Sequence, residues 1–136
     1  GCEVTFFDIG STKARQFGFT LKTADGKKLS CCGDEPYNPC EEEYVRDSDW
    51  LMHEAFCLYR EADKFKPYEK HHSTVKEACL LAEQLRIPNL ILYHTEETHG
   101  KNYIPKKEEN ITAEIYMYRM TRKCSGFSTI GAVKVK

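Results

Sequence analysis

One carboxylate and three imidazoles fall where a hydrolytic or metal-binding site would need them. Asp34 follows the apolar run that ends at Cys32, His53 follows Trp50-Leu51-Met52, His94 follows Asn89 to Tyr93, and His72 stands with His71 just ahead of Thr74, where a helix begins. Only His99 lies away from a strand end or a helix start. Carboxylate and neutral imidazole form the ligand set of zinc, and a carboxylate can bridge two ions. A histidine at a helix N-terminus can meet a phosphate beside the free backbone N–H groups there. Taken singly, each histidine has an ordinary reading as a capping or half-buried polar residue. No His-x-His or His-Glu-x-x-His pair occurs, so spacing alone does not define a complete metal centre.

The elements that must position these residues are legible from apolar patterning. Glu3 to Phe7 reads as a short strand, followed by a Gly-Ser-Thr-Lys loop at Gly10 to Lys13. Phe17 to Thr23 and Lys28 to Cys32 flank an Asp25-Gly26 turn, a β-hairpin signature. Gly33-Asp34-Glu35-Pro36 ends the second strand of that hairpin, and Glu41 to Arg46 reads as one helical turn. Trp50 to Met52 is a continuous apolar run of the kind covered on both faces, ending in His53-Glu54-Ala55. From Thr74 to Arg86, Val75, Ala78, Cys79, Ala82 and Leu85 recur at helical spacing; Thr74 and Glu77 form a capping box, and Pro88 stops the helix. Asn89 to Tyr93 is the next buried strand. Strand, helix, strand in that order predicts a βαβ unit with parallel strands, and sites in such sheets assemble at the carboxyl ends of the strands. Tyr116 to Lys123 shows neither helical nor strand periodicity.

Composition narrows the function classes. A chain of 136 residues, 40% of them apolar and 30% charged, fits one domain. Lys and Arg number 20 against 21 Asp and Glu, and a net charge of −1 provides no field to draw in a polyanion or an anionic membrane. No apolar run approaches the roughly 18 to 20 residues of a spanning helix, and the first ten residues lack the pattern of a secretory signal, so a soluble cytoplasmic protein is expected. Seven cysteines without a Cys-x-x-Cys pair argue against a disulfide scaffold or zinc ribbon; Cys31, Cys32 and Cys79, within apolar segments, are expected as reduced core thiols.

Four motifs in order and register carry a family resemblance. Gly33-Asp34 after a hairpin, His53-Glu54-Ala55 after an apolar strand, His72-Ser73-Thr74 opening a helix and Leu92-Tyr93-His94-Thr95 after the next strand resemble the C-terminal half of metallo-β-lactamase-fold hydrolases, in the branch of ribonuclease Z and related phosphodiesterases. The resemblance covers roughly Phe6 to Gly100. It implies an α/β fold, half of a metallo-β-lactamase αββα sandwich, with a mixed sheet and helices on one face. It implies that Asp34 is the carboxylate bridging two zinc ions and His94 the last histidine ligand. His72 would assist at the scissile phosphate, with His53 and Glu54 as a proton-handling or supporting pair.

The departures are equally specific. The family's His-x-His-x-Asp-His motif does not occur in this sequence, and Gly10 stands where a further ligand histidine is expected after the first strand. Two ligands, Asp34 and His94, then remain, so zinc binding is expected to be weak or absent and hydrolysis by this chain alone is not expected. Residues 1–100 read as the metallo-β-lactamase-like half and 101–136 as an atypical tail. Relatives in this branch often end in a segment like G-N-I-Y-V-P-D-D-E-E-V, whose codons read one base later give Glu114 to Cys124, so the tail reads as frameshifted from near Asn102. The implied partners are a second copy or a chain supplying the missing half, with RNA or a small phosphodiester as substrate and no membrane. From a different class, the chain would be a non-catalytic, self-associating interaction module. A receiver-like domain with Asp34 as phospho-acceptor lacks the acidic cluster that chemistry requires.

Overall fold

Short apolar runs separated by turn residues build a single mixed sheet. The structure, a computed structural model, describes residues 1–94 and 116–119. Its strands are β1 (Cys2–Asp8), β2 (Phe17–Thr23), β3 (Lys28–Cys31), β4 (Trp50–Glu54), β5 (Asn89–Tyr93) and β6 (Tyr116–Arg119), and they lie side by side in chain order. β1, β2 and β3 are antiparallel, β3 to β4 and β4 to β5 are parallel, and β6 returns antiparallel to β5. β6 falls where the sequence shows no clean period. Its backbone pairs with β5 from Asn89↔Arg119 to Leu92↔Tyr116, so pairing rather than local pattern defines that strand. The remainder of the tail lies outside the described residues.

The Asp25-Gly26 turn closes the β2–β3 hairpin as expected, with Gly26 at φ +83° and its N–H donating to the Thr23 carbonyl at 2.9 Å. At Gly18 a side chain has no room: a Cβ there would sit 2.5 Å from the Cys31 carbonyl oxygen and 2.4 Å from the Phe7 ring. The close approach lets Phe7 reach Tyr44 in a stack with ring centroids 4.6 Å apart.

Helices α1 (Glu42–Val45) and α3 (Val75–Gln84) fall at the expected places, and α2 (Ala62–Phe65) is a further short helix that the sequence reading did not mark. Glu77 accepts the Thr74 N–H at 2.7 Å, which fixes the start of α3. Its apolar stripe of Ala78, Cys79 and Ala82 is buried against Leu51, Leu90 and Leu92 of β4 and β5. Arg86 takes left-handed backbone (φ +57°), ending the helix just short of the expected boundary and turning Ile87 into the core. The helices cover one face of the sheet. β4 runs on through His53 and Glu54, so His53 sits within a strand and not beyond its end. In the described residues no helix is long and apolar enough to cross a membrane.

A single acid is buried in this layer away from the strand ends. Glu41 closes the 3₁₀ turn Pro39–Glu41 and has no solvent exposure; its Oε1 accepts the Asn38 N–H at 2.8 Å, and its Oε2 has no hydrogen-bond partner. Burial pushes its carboxyl up to about 7, against the smaller opposing pull of the Asn38 N–H and the Cys32 thiol. The folded state therefore holds this proton more tightly than the unfolded chain does. Stability from this group is complete below about pH 4.5 and declines as pH rises through about 7, by on the order of 3 kcal/mol at most. Thermal unfolding against pH should show Glu41→Gln matching the wild type near pH 4.5 and exceeding it above pH 7.

Candidate metal centre

Asp34, His72 and His94 come together although they sit 60 residues apart in sequence at the extremes. Each offers a ligand atom, and these atoms all lie within 4.8 Å of one another. Asp34 follows β3 and His94 follows β5, with β4 between them, and two local features bring them into reach. Gly33 takes φ +74° and turns the chain off β3, while His94 takes φ +57° and turns it off β5. His94 Nδ1 then lies 3.2 Å from Asp34 Oδ1, and both side chains remain about half exposed. The Tyr93 hydroxyl donates to the Gly33 carbonyl, tying the two turns together across β4. Burial holds the Tyr93 phenol well above its usual range, keeping it a donor.

His72 is delivered differently, by the buried Glu54 at the end of β4. Glu54 Oε1 accepts the Ser73 N–H at 2.6 Å and also the Ser73 hydroxyl. Backbone bonds from Phe56 N to Ser73 O (2.9 Å) and Val75 N to Cys57 O (3.0 Å) join the same two segments. The other carboxylate oxygen, Oε2, lies 3.3 Å from His72 Nδ1 without hydrogen-bond alignment, and neither atom has another partner. His72 stacks flat on Phe56, with centroids 4.9 Å apart and planes 5° from parallel, and its ring centroid is 4.7 Å from that of His94. With Nδ1 turned to Glu54, Nε2 is the nitrogen left to face a ligand. A carboxylate behind one imidazole nitrogen is the arrangement that orients metal-binding histidines.

Electrostatics follow from depth. Burial pushes the Glu54 carboxyl up to about 7, with the charges of Asp34 and Glu77 adding and the Ser73 bonds opposing. Burial, then the neighbouring His94, lowers the His72 ring, favouring the neutral imidazole a metal requires.

His53 stands apart from this cluster. Its side chain is on the helix-covered face, its Nδ1 lies 2.7 Å from the Glu54 carbonyl, and its Nε2 has no hydrogen-bond partner. It lines a pocket of about 260 Å³ with Tyr37, Tyr68, Glu77 and Leu81, which His72 and Ser73 also line. Burial lowers its ring below the usual histidine range. His71 is exposed and caps the 3₁₀ turn Tyr68–Lys70 at φ +59°, outside the cluster. Gly10 has φ +71°, and a Cβ there would meet Asn38 Nδ2 at 2.9 Å, so the backbone at that position is built for glycine and not for a ligand histidine. Sequence reasoning gave no role to Ser73, Tyr93 or Phe56. The first two are flanking residues of quoted motifs, while nothing in the sequence marks Phe56 as a ring platform.

No family model matches the chain. It is 33% identical over 84 residues to ribonuclease Z of Archaeoglobus fulgidus, covering 62% of this chain and 27% of the relative. Superposition on the crystal structure of the short form of human tRNase Z gives a TM-score of 0.57 at 27% identity, over 68% of this chain and 36% of that one. The chain carries part of a ribonuclease Z-like metallo-β-lactamase fold. A metallo-β-lactamase-fold protein from Bacillus subtilis shares the fold at 17% identity, with a TM-score of 0.52 over 69% of this chain and 37% of that one. The chain spans about a quarter of the length of the curated ribonuclease Z relatives it matches.

The Ser73 hydroxyl is the most direct test of the device that seats His72. Ser73→Ala removes the hydroxyl bond to a buried carboxylate while keeping the backbone one. Urea unfolding is expected to show a loss of about 1 to 3 kcal/mol.

Proposed function

We propose that this chain is the portion of a ribonuclease Z-like phosphodiesterase that contributes Asp34, His72 and His94 to a zinc centre, with residues 1–100 as the metallo-β-lactamase-like unit. The supporting observation is the convergence of those three donor atoms within 4.8 Å. Donors about 2.0 to 2.1 Å from a tetrahedral zinc lie roughly 3.3 Å apart, so modest rotation of the exposed Asp34 and His94 side chains closes the set. The donor chemistry fits zinc: one carboxylate and two imidazoles, one of them backed by Glu54. A zinc ion bound there supplies Lewis-acid charge to a phosphate ester. Asp34, His94 and His72 would hold the ion, with His72 stacked on Phe56. Glu54 orients His72, and His53 faces the adjoining pocket as the proton-handling group. The resemblance gives His72 a role at the phosphate; its position beside Asp34 and His94 supports a place among the metal's donors as well.

With three donors the ion is held weakly, and turnover needs ligands of the His-x-His-x-Asp-His kind from elsewhere. The substrate class is RNA or a small phosphodiester, in keeping with relatives named as ribonucleases. A non-catalytic self-associating module is the second reading, favoured by the half-exposed apolar sheet face opposite the helices.

Isothermal titration of the full chain with zinc at pH 7.5 should show weak uptake. Asp34→Ala, His72→Ala and His94→Ala should each lower affinity at least 10-fold, with His53→Ala unchanged within about 3-fold. Absence of uptake, or equal loss in His53→Ala, contradicts the assignment.

A further inference from the structure

Two of the side chains lining the pocket beside the metal cluster carry buried polar atoms that nothing satisfies. His53 is 1% exposed, and its Nδ1, 2.7 Å from the Glu54 carbonyl, must carry the proton it donates there. Burial favours the neutral ring, which leaves Nε2 a bare lone pair, and Nε2 has no hydrogen-bond partner among the described residues. Tyr37 lines the same pocket, and its buried hydroxyl has no partner either. Burial pushes that phenol up to about 12, so the hydroxyl keeps a proton to donate. Buried polar atoms are rarely left unpaired, and two lining one cavity suit a ligand that brings both a donor and an acceptor. The other lining residues set the ligand's character. Tyr37 and Tyr68 bring aromatic rings and Leu81 an apolar side chain. Among the described residues no lysine or arginine lines the pocket, and Glu77, which does, has Oε2 committed to the Thr74 N–H at 2.7 Å and hydroxyl at 2.8 Å. A phosphate or carboxylate therefore meets no cation there, and a neutral group fits.

We infer that this pocket receives the nucleobase of a nucleotide whose phosphate lies at the Asp34, His72 and His94 cluster. The position of that phosphate rests on the phosphodiesterase reading, while the fit of the base is tested apart from it. A base carries N–H donors and carbonyl or ring-nitrogen acceptors on one flat edge, and its face stacks on aromatic side chains. A base N–H on His53 Nε2 and a base acceptor on the Tyr37 hydroxyl satisfy both orphaned atoms. The Nε2 lone pair is the one with which His53 would handle a proton, so the base is held by the same atom. A volume of about 260 Å³ is below the roughly 300 Å³ at which sites for whole drug-sized ligands begin, which suits one ring system. The pocket draws its walls from β4 and α3 on the helix-covered side of the sheet, and His72 belongs both to it and to the cluster. A base seated there favours nucleotide substrates over phosphodiesters that lack one.

Proton NMR of the full chain in EDTA, following the His53 and Tyr37 ring signals as uridine or adenosine is added, tests the base site without metal. Saturable shifts at millimolar nucleoside are expected, and none with ribose alone. Tyr37→Phe keeps the ring and removes the hydroxyl, and should weaken uridine binding about 3- to 10-fold. His53→Leu removes the acceptor and should weaken it similarly; Tyr37→Phe keeps the test readable if His53→Leu fails to fold. No saturable shift, equal shifts with ribose, or uridine binding unchanged in either folded variant overturns the inference. Nucleoside binding by a chain that takes up no zinc supports the base pocket and removes the metal assignment alone. Zinc uptake without nucleoside binding removes the base pocket alone.

Discussion

A carboxylate with no solvent exposure joins the parts of this site. Glu54 stands at the end of β4 and binds the N–H and hydroxyl of Ser73, immediately ahead of α3. A buried carboxylate is costly unless its oxygens are satisfied, so the helix start has one place to dock. His72, one residue earlier, is thereby set against the remaining oxygen and onto the Phe56 ring. The same strand end is flanked by the turns that deliver Asp34 and His94. Parallel pairing of β3, β4 and β5 brings all three strand ends to one edge, and the Tyr93 to Gly33 bond spans the middle strand.

That arrangement holds Asp34, His72 and His94 together at one edge of the sheet. The helix-covered face is a continuous core around Leu51, Leu90, Leu92 and α3, which fixes the strand ends from below. The cluster itself needs only left-handed backbone at two positions and one buried acid. The opposite face contributes little to holding the site and has half-exposed apolar rows instead. The division between a covered and an open face follows directly from the period-two alternation of each strand.

Much of this was legible in the sequence, for physical reasons. The hairpin was readable because Asp25-Gly26 demands a tight turn, and α3 because Thr74, Glu77 and Pro88 punctuate a clear helical period. Asp34 and His94 were readable because each directly follows an apolar strand. The place of His53 was less legible, since β4 continues past Met52 and buries the ring on the helix side, and a continuous apolar run does not announce its own end. β6 was invisible because its pairing with β5 is nonlocal. The union of His72 with Asp34 and His94 depends on Phe56, which no period or motif marks, and on Ser73, whose bonds to Glu54 the His72-Ser73-Thr74 motif does not announce. Motif order carried the family resemblance, while which motif residues lie together needed geometry.

The central claim is that Asp34, His72 and His94 are donors to one ion. X-ray absorption at the zinc edge on the zinc-loaded chain reads that donor set directly. The account expects a light-atom shell of nitrogen and oxygen near 2.0 to 2.1 Å, about the usual zinc distances, with the outer-ring scattering of two imidazoles. His94→Ala should reduce this to a single imidazole. A sulfur shell near 2.3 Å, the usual zinc–thiolate distance, would place the ion on cysteine and contradict the account.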